Sequence, residues 1–472
     1  MKKAFSLILV MVIVLSLCAC APQSGSASSA GSGFQVGYAR ETIMPEGPVP
    51  LAGYGNTDRR LSSGFLDYLY LTCTAITDAD GNTLLMFSGD TIGSTRITEL
   101  RPAVHEATGI PEDHILLNSS HTHSGPDMGK TEFATINAYI KMYVEQGVKA
   151  AVAALEDRKP AKMYYATIET EGLNFVRHYV CVDGSYMGDN FGDQSLEAVK
   201  HTSEVDPTMH LIKFDRGEGN KPVLLMNWRA HATITGGASK TDISADFIGS
   251  TRDYLEKELG CLFAYFQGAA GNVNPRSRIP EEDCTRDYKL FGQQLGSFAI
   301  KALENTVELE AGPIRVNQLS YTANVNHTKD HLLLGAKEVA AYWEATGDST
   351  GCKEMGAKYG IRGHADALGI VRNAARPMTE QLELDAYTIG ELAFVTAPNE
   401  LFDTNAMYVE ANSPFTYTMV FGYSNGSKGY MPSALAWEYT SYETDQTHFE
   451  PGTAEKVQDK QLELLQQLYD TK

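Results

Sequence analysis

Basic residues are in the minority in this 472-residue chain, which has 39 Lys and Arg against 59 Asp and Glu and a formal net charge of -20. A surface this acidic repels phosphate backbones, so we expect no nucleic-acid partner. The same charge gives no attraction to anionic lipid headgroups. Any attachment to a membrane must therefore come from something other than a basic patch.

Cysteine is also scarce, with seven residues and no C-x-x-C pair in the whole sequence. A cysteine zinc site and a disulfide framework are therefore not predicted. One disulfide bridge is compatible with the number, but the spacing does not assign it.

The amino-terminal segment carries a short apolar run, Ala4 to Leu17, behind a cationic start. Residues 1–19 are typical of a secretory signal peptide, since the run is too short for a comfortable membrane-spanning helix. A small residue before Cys20 resembles the lipobox of bacterial lipoproteins, and an ordinary cleaved signal is the alternative. We expect Cys20 to be lipidated and residues 20–33 to form a flexible Ser/Gly linker. The protein would then be extracytoplasmic, with membrane contact only through this anchor.

The remainder, residues 34–472, predicts an α/β fold: a single large catalytic domain with a mixed β-sheet core flanked by helices. Six apolar runs read as strands that each end in polar residues, the edge at which α/β proteins assemble sites. These runs are residues 83–89, 114–117, 222–228, 261–266, 392–396 and 417–421. Residues 332–376 read as a helical insertion or lid, and residues 453–468 as a last helix packed on the core.

The densest chemical signal is the segment Asn118 to Pro126, which contains His121 and His123 among only twelve histidines. In an extended segment both rings face the same side, where neutral imidazoles suit zinc. A metal or catalytic pair and a structural, hydrogen-bonded pair both remain open. Taken singly, His231 is typical of a satisfied polar residue and Glu400 of an exposed helix start.

Taken together, these segments resemble the neutral/alkaline, non-lysosomal ceramidase family. The histidine segment is the most specific match, and the order and spacing of the others agree over about residues 34 to 445. The other matching segments are residues 36–43, 51–55, 227–233, 244–249, 398–400, 422–426 and 429–432.

The resemblance implies a zinc-dependent amidohydrolase that cleaves an N-acyl substrate, either ceramide or a related N-acylated lipid or amine. It implies one zinc ion per chain, held by four side chains: His121, His231, Glu400 and Tyr430. It also implies His123 as the acid/base, Tyr442 as the group that stabilises the oxyanion, and Arg177 near the scissile bond.

Two departures from the family weaken the expectation of ceramide more than that of amide hydrolysis. The segment Gly271 to Arg276 replaces the family's Asp and Ser. We also expect no counterpart of the carboxyl-terminal β-domain that ceramidases carry. The oligomeric state is not readable from the sequence.

Two other functions remain as alternatives. Residues 422–426 match G-x-S-x-G, so Ser424 could be the nucleophile of a serine hydrolase, with Asp445 and His448 downstream. The glycines and the proline that follow argue against the helix that such a turn requires. A lipoprotein that only captures a ligand, with a vestigial metal site, is the second alternative.

Overall fold

Three large β-sheets organise the part of the chain that the computed structural model describes, residues 34–55, 60–282 and 284–471. The predicted signal peptide, Cys20 and the linker up to residue 33 lie outside these residues. The strands are β1 (Gln35–Thr42), β2 (Gly64–Phe65), β3 (Tyr70–Thr77), β4 (Thr83–Gly89), β5 (Ile115–Ser119), β6 (Lys159–Pro160), β7 (Lys162–Glu169), β8 (Phe175–Val176), β9 (His178–Cys181), β10 (Tyr186–Gly188), β11 (Ala198–His201), β12 (Thr208–Asp215), β13 (Val223–Trp228), β14 (Asp242–Ile243), β15 (Leu262–Gln267), β16 (Val273–Asn274), β17 (Val307–Leu309), β18 (Ile314–Asn324), β19 (Thr379–Ile389), β20 (Leu392–Thr396), β21 (Glu400–Leu401), β22 (Tyr417–Phe421) and β23 (Tyr430–Met431). The helices are α1 (Ile97–Thr108), α2 (Ala134–Glu156), α3 (Asp246–Leu259), α4 (Tyr288–Ala302), α5 (Leu333–Thr346), α6 (Ser349–Ala357), α7 (His364–Ala374), α8 (Asp403–Asn412), α9 (Ala434–Tyr439), α10 (Tyr442–Gln446) and α11 (Thr453–Asp470).

The three sheets share one topology, although the sequence shows no internal repeat. Their common strand orders are β5-β4-β3-β1, β15-β13-β12-β7 and β22-β20-β19-β18. In each, three neighbouring strands run antiparallel and the fourth joins in parallel after a crossover helix, which is α1, α3 or α8. The six predicted strands are the members of the three parallel pairs, β4 with β5, β13 with β15 and β20 with β22.

The inner faces of the three sheets meet in one central core. Alternation along β4 shows the principle, because Leu84 and Met86 enter this core while Leu85 and Phe87 face α1 and α2. The outer faces of the other two sheets are covered in the same way by α3 with α4 and by α8 with α11. Strands buried on both faces read as continuous apolar runs. The predicted α/β class, a mixed sheet core flanked by helices, is confirmed.

Helices α5, α6 and α7 leave the third sheet between β18 and β19, two strands that pair along their full length from Ile314↔Ile389 to Asn324↔Thr379. They enclose a small apolar core of their own, centred on Val339, Cys352 and Ile370. The three helices lie within residues 332–376, the region predicted to be helical, although α6 has two glycines and no apolar stripe. The pairing of β18 with β19 closes the sheet beneath the excursion.

Two absences hold across the described ranges. No helix there has both the length and the apolar character needed to cross a bilayer. The cysteines in these ranges are all unpaired thiols, so the one bridge that the sequence allowed does not form among them.

Candidate active site

The predicted site residues come from corresponding edges of the three sheets. His121 follows β5, His231 follows β13, and Glu400 follows β20. Tyr430 follows β22 and forms a short parallel pair with Glu400. These strands all end at the edge of the sheets where the site lies. Four side chains that are remote in sequence therefore converge on one point.

Two histidine rings and one carboxylate define that point. Nε2 of His121 and Nε2 of His231 each lie 3.4 Å from Oε2 of Glu400. Nε2 of His123 lies 3.1 Å from Nε2 of His121. The ligand atoms of the three histidines fall within 4.8 Å of one another.

Backbone carbonyls fix the orientation of the two outer rings. Nδ1 of His121 lies 2.7 Å from the carbonyl oxygen of Ile92, and Nδ1 of His231 lies 2.7 Å from that of Ala270. A carbonyl can only accept, so each Nδ1 carries the proton and each Nε2 presents a lone pair toward Glu400. The loop is strained to achieve this, since His121 adopts a left-handed backbone with φ 63°.

This arrangement fits a cation. Burial and the charge of Arg177 lower the pKa of His231 to about 4, so its ring is neutral. Within the described residues, Oε2 of Glu400 and Nε2 of His231 are buried without a hydrogen-bond partner. Lone pairs that face one another in a buried site repel each other unless a cation lies between them. Nitrogen and oxygen ligands of this kind suit zinc.

A buried ion network supports Tyr430 from behind. Nη2 of Arg177 donates to the Tyr430 hydroxyl at 3.2 Å and to the Gly271 carbonyl at 2.8 Å. Nε of Arg177 donates to Glu443 at 2.8 Å, and Nε2 of His178 lies 2.8 Å from the other Glu443 oxygen. Burial opposes the charge of Glu443, but His178 and Arg177 hold its pKa far below normal. Arg177 is thus placed to position Tyr430.

The sequence reasoning missed His178 and Glu443. Each directly follows a predicted site residue, Arg177 or Tyr442, and this adjacency is the signal that could have found them. An isolated His or Glu in a loop otherwise reads as a solvated surface group.

His123 and Tyr442 complete the predicted set and face open space. Burial, followed by the imidazoles of His121 and His231, lowers the pKa of His123 well below its usual value. Gly53, with φ 107°, packs so closely that an added Cβ would lie 2.5 Å from the His123 ring. The Tyr442 ring lies 5.9 Å from that of Tyr430. The structure therefore brings all seven predicted residues together, with His123 close enough to serve as a further metal ligand.

A cavity of about 1620 Å³ opens onto this cluster. His123, Arg177, Tyr430 and Tyr442 line it on one side. Helices α5 and α7 line it on another, through residues that include Trp343. The predicted insertion thus forms a wall of the candidate substrate site.

Asn118 joins the three sheets beneath the site and is fully buried. Its Nδ2 donates to the carbonyls of Gln267 at 3.1 Å and Gly422 at 2.8 Å, while its Oδ1 accepts from the Gln267 amide at 2.7 Å. These partners belong to the ends of β15 and β22. One side chain of the histidine segment therefore fixes the mutual placement of the loops that carry the site.

The residues of the alternative serine site have other partners. The hydroxyl of Ser424 is buried, donates to the Gly422 carbonyl at 3.1 Å and accepts from Asn118 at 3.0 Å. Asp445 pairs with Arg362, and His448 lies 2.6 Å from Glu380. Among the described residues, no hydrogen bond links Ser424 to either of them.

Fold and site together define a mixed α/β protein with a buried histidine–carboxylate centre that fits a metal ion. No family model matches the chain. Over 286 residues it is 25% identical to neutral ceramidase B of Dictyostelium discoideum, a match that covers 55% of this chain and 38% of that protein. The match thus spans well under half the length of this curated relative.

Solved structures share the fold. Neutral ceramidase from Pseudomonas aeruginosa matches with a TM-score of 0.71 at 15% identity, covering 93% of this chain and 75% of that one. A ceramidase complexed with C2 matches with a TM-score of 0.71 at 16% identity, covering 93% of this chain and 76% of that one. The predicted relationship to the neutral ceramidase family is confirmed.

Proposed function

We propose that this protein is a zinc-dependent hydrolase that cleaves the amide bond of an N-acyl substrate, either ceramide or a related N-acylated lipid or amine. The observation that carries the proposal is the pair of 3.4 Å contacts from His121 and His231 to Glu400, in which buried lone pairs face one another. The relationship to proteins named neutral ceramidase supports the amide chemistry.

The metal would be one zinc ion held by His121, His231, Glu400 and Tyr430. A bound zinc ion supplies Lewis-acid chemistry, because it polarises a carbonyl and lowers the pKa of water. The two imidazoles are already oriented by the carbonyls of Ile92 and Ala270, which reduces the cost of organising the site.

The chain's own groups would carry the protons and steady the substrate. His123 would take a proton from water and return one to the leaving amine, a role supported by its position in the cavity lining. The Tyr442 hydroxyl would donate to the oxygen that becomes negative. Arg177 would act indirectly, because its bonds to the Tyr430 hydroxyl and to Glu443 hold the tyrosine in place.

We further propose that the protein works outside the cytoplasm, attached by a lipid on Cys20. The support is the sequence of residues 1–33, with its apolar run, small residue before cysteine and Ser/Gly spacer. Replacing Cys20 with Ser should release the protein from the membrane fraction of a producing bacterium. Unchanged membrane association would contradict this assignment.

Metal removal tests the central proposal. The purified protein should contain about one zinc per chain. A chelator should abolish hydrolysis of N-acyl substrates, and added zinc should restore it. A serine hydrolase would keep its activity without the metal. A ligand-capturing protein would bind N-acyl compounds without cleaving any of them, so binding without turnover in the zinc-loaded protein would contradict the proposal.

A further inference from the structure

The charge of the cavity lining is opposite to that of the chain. Seven Lys and Arg line the cavity against three Asp and Glu, whereas the whole sequence has 39 against 59. The cations come from separate loops and helices: Lys130, Arg177, Arg276, Arg278, Arg286, Lys337 and Arg372. A cleft of one sign on a protein of the other sign concentrates ligands of the opposite charge.

Arg372 on α7 is one of the lining cations that are not held by an acid. Its Nη2 donates to the Gln446 amide oxygen at 2.6 Å, one helical turn along α10 from Tyr442. Tyr442 is near enough to interact with the charge of Arg372. Tyr442 in turn packs against Tyr430, so one side chain separates the Arg372 guanidinium from this proposed zinc ligand.

No carboxylate within the described ranges pairs with Arg372, in contrast to Arg177, Arg276 and Arg376. Arg177 is bound to Glu443, and Arg276 lies 3.8 Å from Asp189. Arg376, one turn further along the same segment, lies 3.3 Å from Glu380 and is absent from the cavity lining. A planar, permanently charged guanidinium with a neutral partner is suited to binding a carboxylate or another oxyanion.

An apolar surface adjoins this charge. Trp343, Leu368 and Val371 line the cavity from α5 and α7, and Trp343 stacks on His364 with ring centroids 3.8 Å apart. The cavity therefore offers an acyl chain an apolar wall and offers an anionic group a cation beside it.

Building on the proposed function, we propose that the substrate is an N-acyl amide carrying an anionic oxygen group near the amide bond, and that Arg372 binds this group. Arg372 would then determine substrate specificity, while the proposed zinc ligands and His123 would carry out the bond cleavage. Ceramide carries no such charge, so the inference separates the preferred substrate of this chain from ceramide itself.

Four probes with one acyl chain test the substrate class in the full-length, zinc-loaded protein. They are N-dodecanoylglycine, N-dodecanoyltaurine, N-dodecanoylethanolamine and N-dodecanoylethylenediamine, which end in a carboxylate, a sulfonate, a neutral hydroxyl and an ammonium group. We expect kcat/KM for the better anionic probe to exceed that for the neutral probe by about tenfold or more. The ammonium probe should be poorest, and the two anions distinguish a carboxylate site from a general oxyanion site.

The variant Arg372→Gln tests the residue, and Arg376→Gln is its matched control on the same segment. Arg372→Gln should reduce the preference for the anionic over the neutral probe by about tenfold, mainly through KM. Arg376→Gln should keep the wild-type preference, because Arg376 lies outside the cavity lining. Zinc content should be the same in all three proteins.

Two results would overturn the inference: equal or better turnover of the neutral probe by the wild-type protein, or equal losses on both probes in Arg372→Gln. Either can occur in an active zinc amidase, so neither contradicts the proposed function. If the zinc-loaded protein cleaves none of the probes and no ceramide, both the proposed function and this inference are wrong.

Discussion

Two sides of the cavity are built on different principles. The donor pole, formed by His121, His231, Glu400 and Tyr430, stands at strand ends, and backbone carbonyls hold both of its imidazoles. The helical wall, formed by α5 and α7, shares a small core with α6 and presents half-buried or exposed side chains to the cavity. Rigid strand ends suit a metal site that needs fixed geometry, whereas a separate helical layer can change without disturbing it. Chemistry and recognition are thus assigned to different sides.

The largest effect should come from removing a donor. His231→Ala or Glu400→Ala should lose the zinc and reduce turnover by about 10³-fold or more. Metal analysis and kcat/KM on the best N-acyl probe measure both effects. His105→Ala, an exposed histidine on α1, is the control and should keep metal and activity. Full zinc content in both pole variants would place the metal elsewhere.

The next effect distinguishes an acid/base from a ligand. His123→Ala should retain about one zinc while turnover falls by about 10²- to 10⁴-fold, because only proton transfer is removed. Zinc content and single-turnover rate, measured on the same sample, give the answer. If the metal is lost as well, His123 is a ligand, as the 3.1 Å approach of its Nε2 to that of His121 allows.

Removing the hydrogen bonds of Asn118 beneath the donor pole should lower the stability of the protein. Asn118→Ala leaves the Gln267 amide and two carbonyls without their partner, so we expect unfolding to become easier by about 2 to 4 kcal/mol. Urea unfolding of the zinc-free protein measures this without the contribution of the metal. Asn137→Ala, at an exposed site on α2, is the control and should change stability little. Equal effects would mean that Asn118 does not join the sheets.

A change in the helical wall should affect recognition alone. Trp343→Ala removes an aromatic surface from the cavity, so KM for a long-chain substrate should rise several-fold, by about 3 to 10 times. We expect kcat and zinc content to stay close to wild type, unlike any change at the donor pole. Leu334→Ala, 76% exposed on α5, is the matched control. A loss of zinc in Trp343→Ala would contradict the separation of the two sides.

The smallest effect should be that of Ser424→Ala. The hydroxyl is buried against Gly422 and Asn118, so its loss should reduce stability by about 1 kcal/mol and leave kcat within about twofold. A steady-state assay with a thermal unfolding curve is sufficient. Abolished turnover in a folded, zinc-loaded variant would revive the serine mechanism.

The histidine segment was predictable from the sequence because its chemistry is carried by residue types at short spacing, whereas Glu400 and Tyr430 were implied by the family resemblance. The sequence predicts an extended segment at His121 and His123, but His121 has a left-handed backbone with φ 63°. The apolar strands before His231 and Glu400 indicate the edge of a sheet. The helical wall was predictable only as helices. Nothing in the sequence around Trp343 or Arg372 indicates that they face the same cavity as Tyr442. The spacing of apolar residues shows which face of a helix is buried, but it does not show which part of the protein the exposed face meets.

The repeated topology shows a second limit of the sequence. Each sheet uses the same order of strands, yet the three core faces are filled by different side chains, such as Met86, Leu225 and Phe394. Core packing requires apolar side chains of suitable volume at alternating positions, but not the same amino acids in each sheet. The repeated topology therefore leaves no repeat in the amino-acid sequence. The buried network of Arg177, His178 and Glu443 is hidden for a related reason, since Glu443 is more than 260 residues from the other two.

The resemblance to the neutral/alkaline ceramidase family implied the seven predicted site residues. By itself, the sequence determined the α/β class and the strands that end at the site. Local patterns suffice for these because alternation, apolar runs and short motifs act over a few residues. Only the tertiary structure decided that three similar sheets meet, that Asn118 joins them, that Ser424 is buried, and that Arg372 faces the cavity without an acid. These depend on which distant groups become neighbours, and burial and charge pairing exist only after the chain has folded.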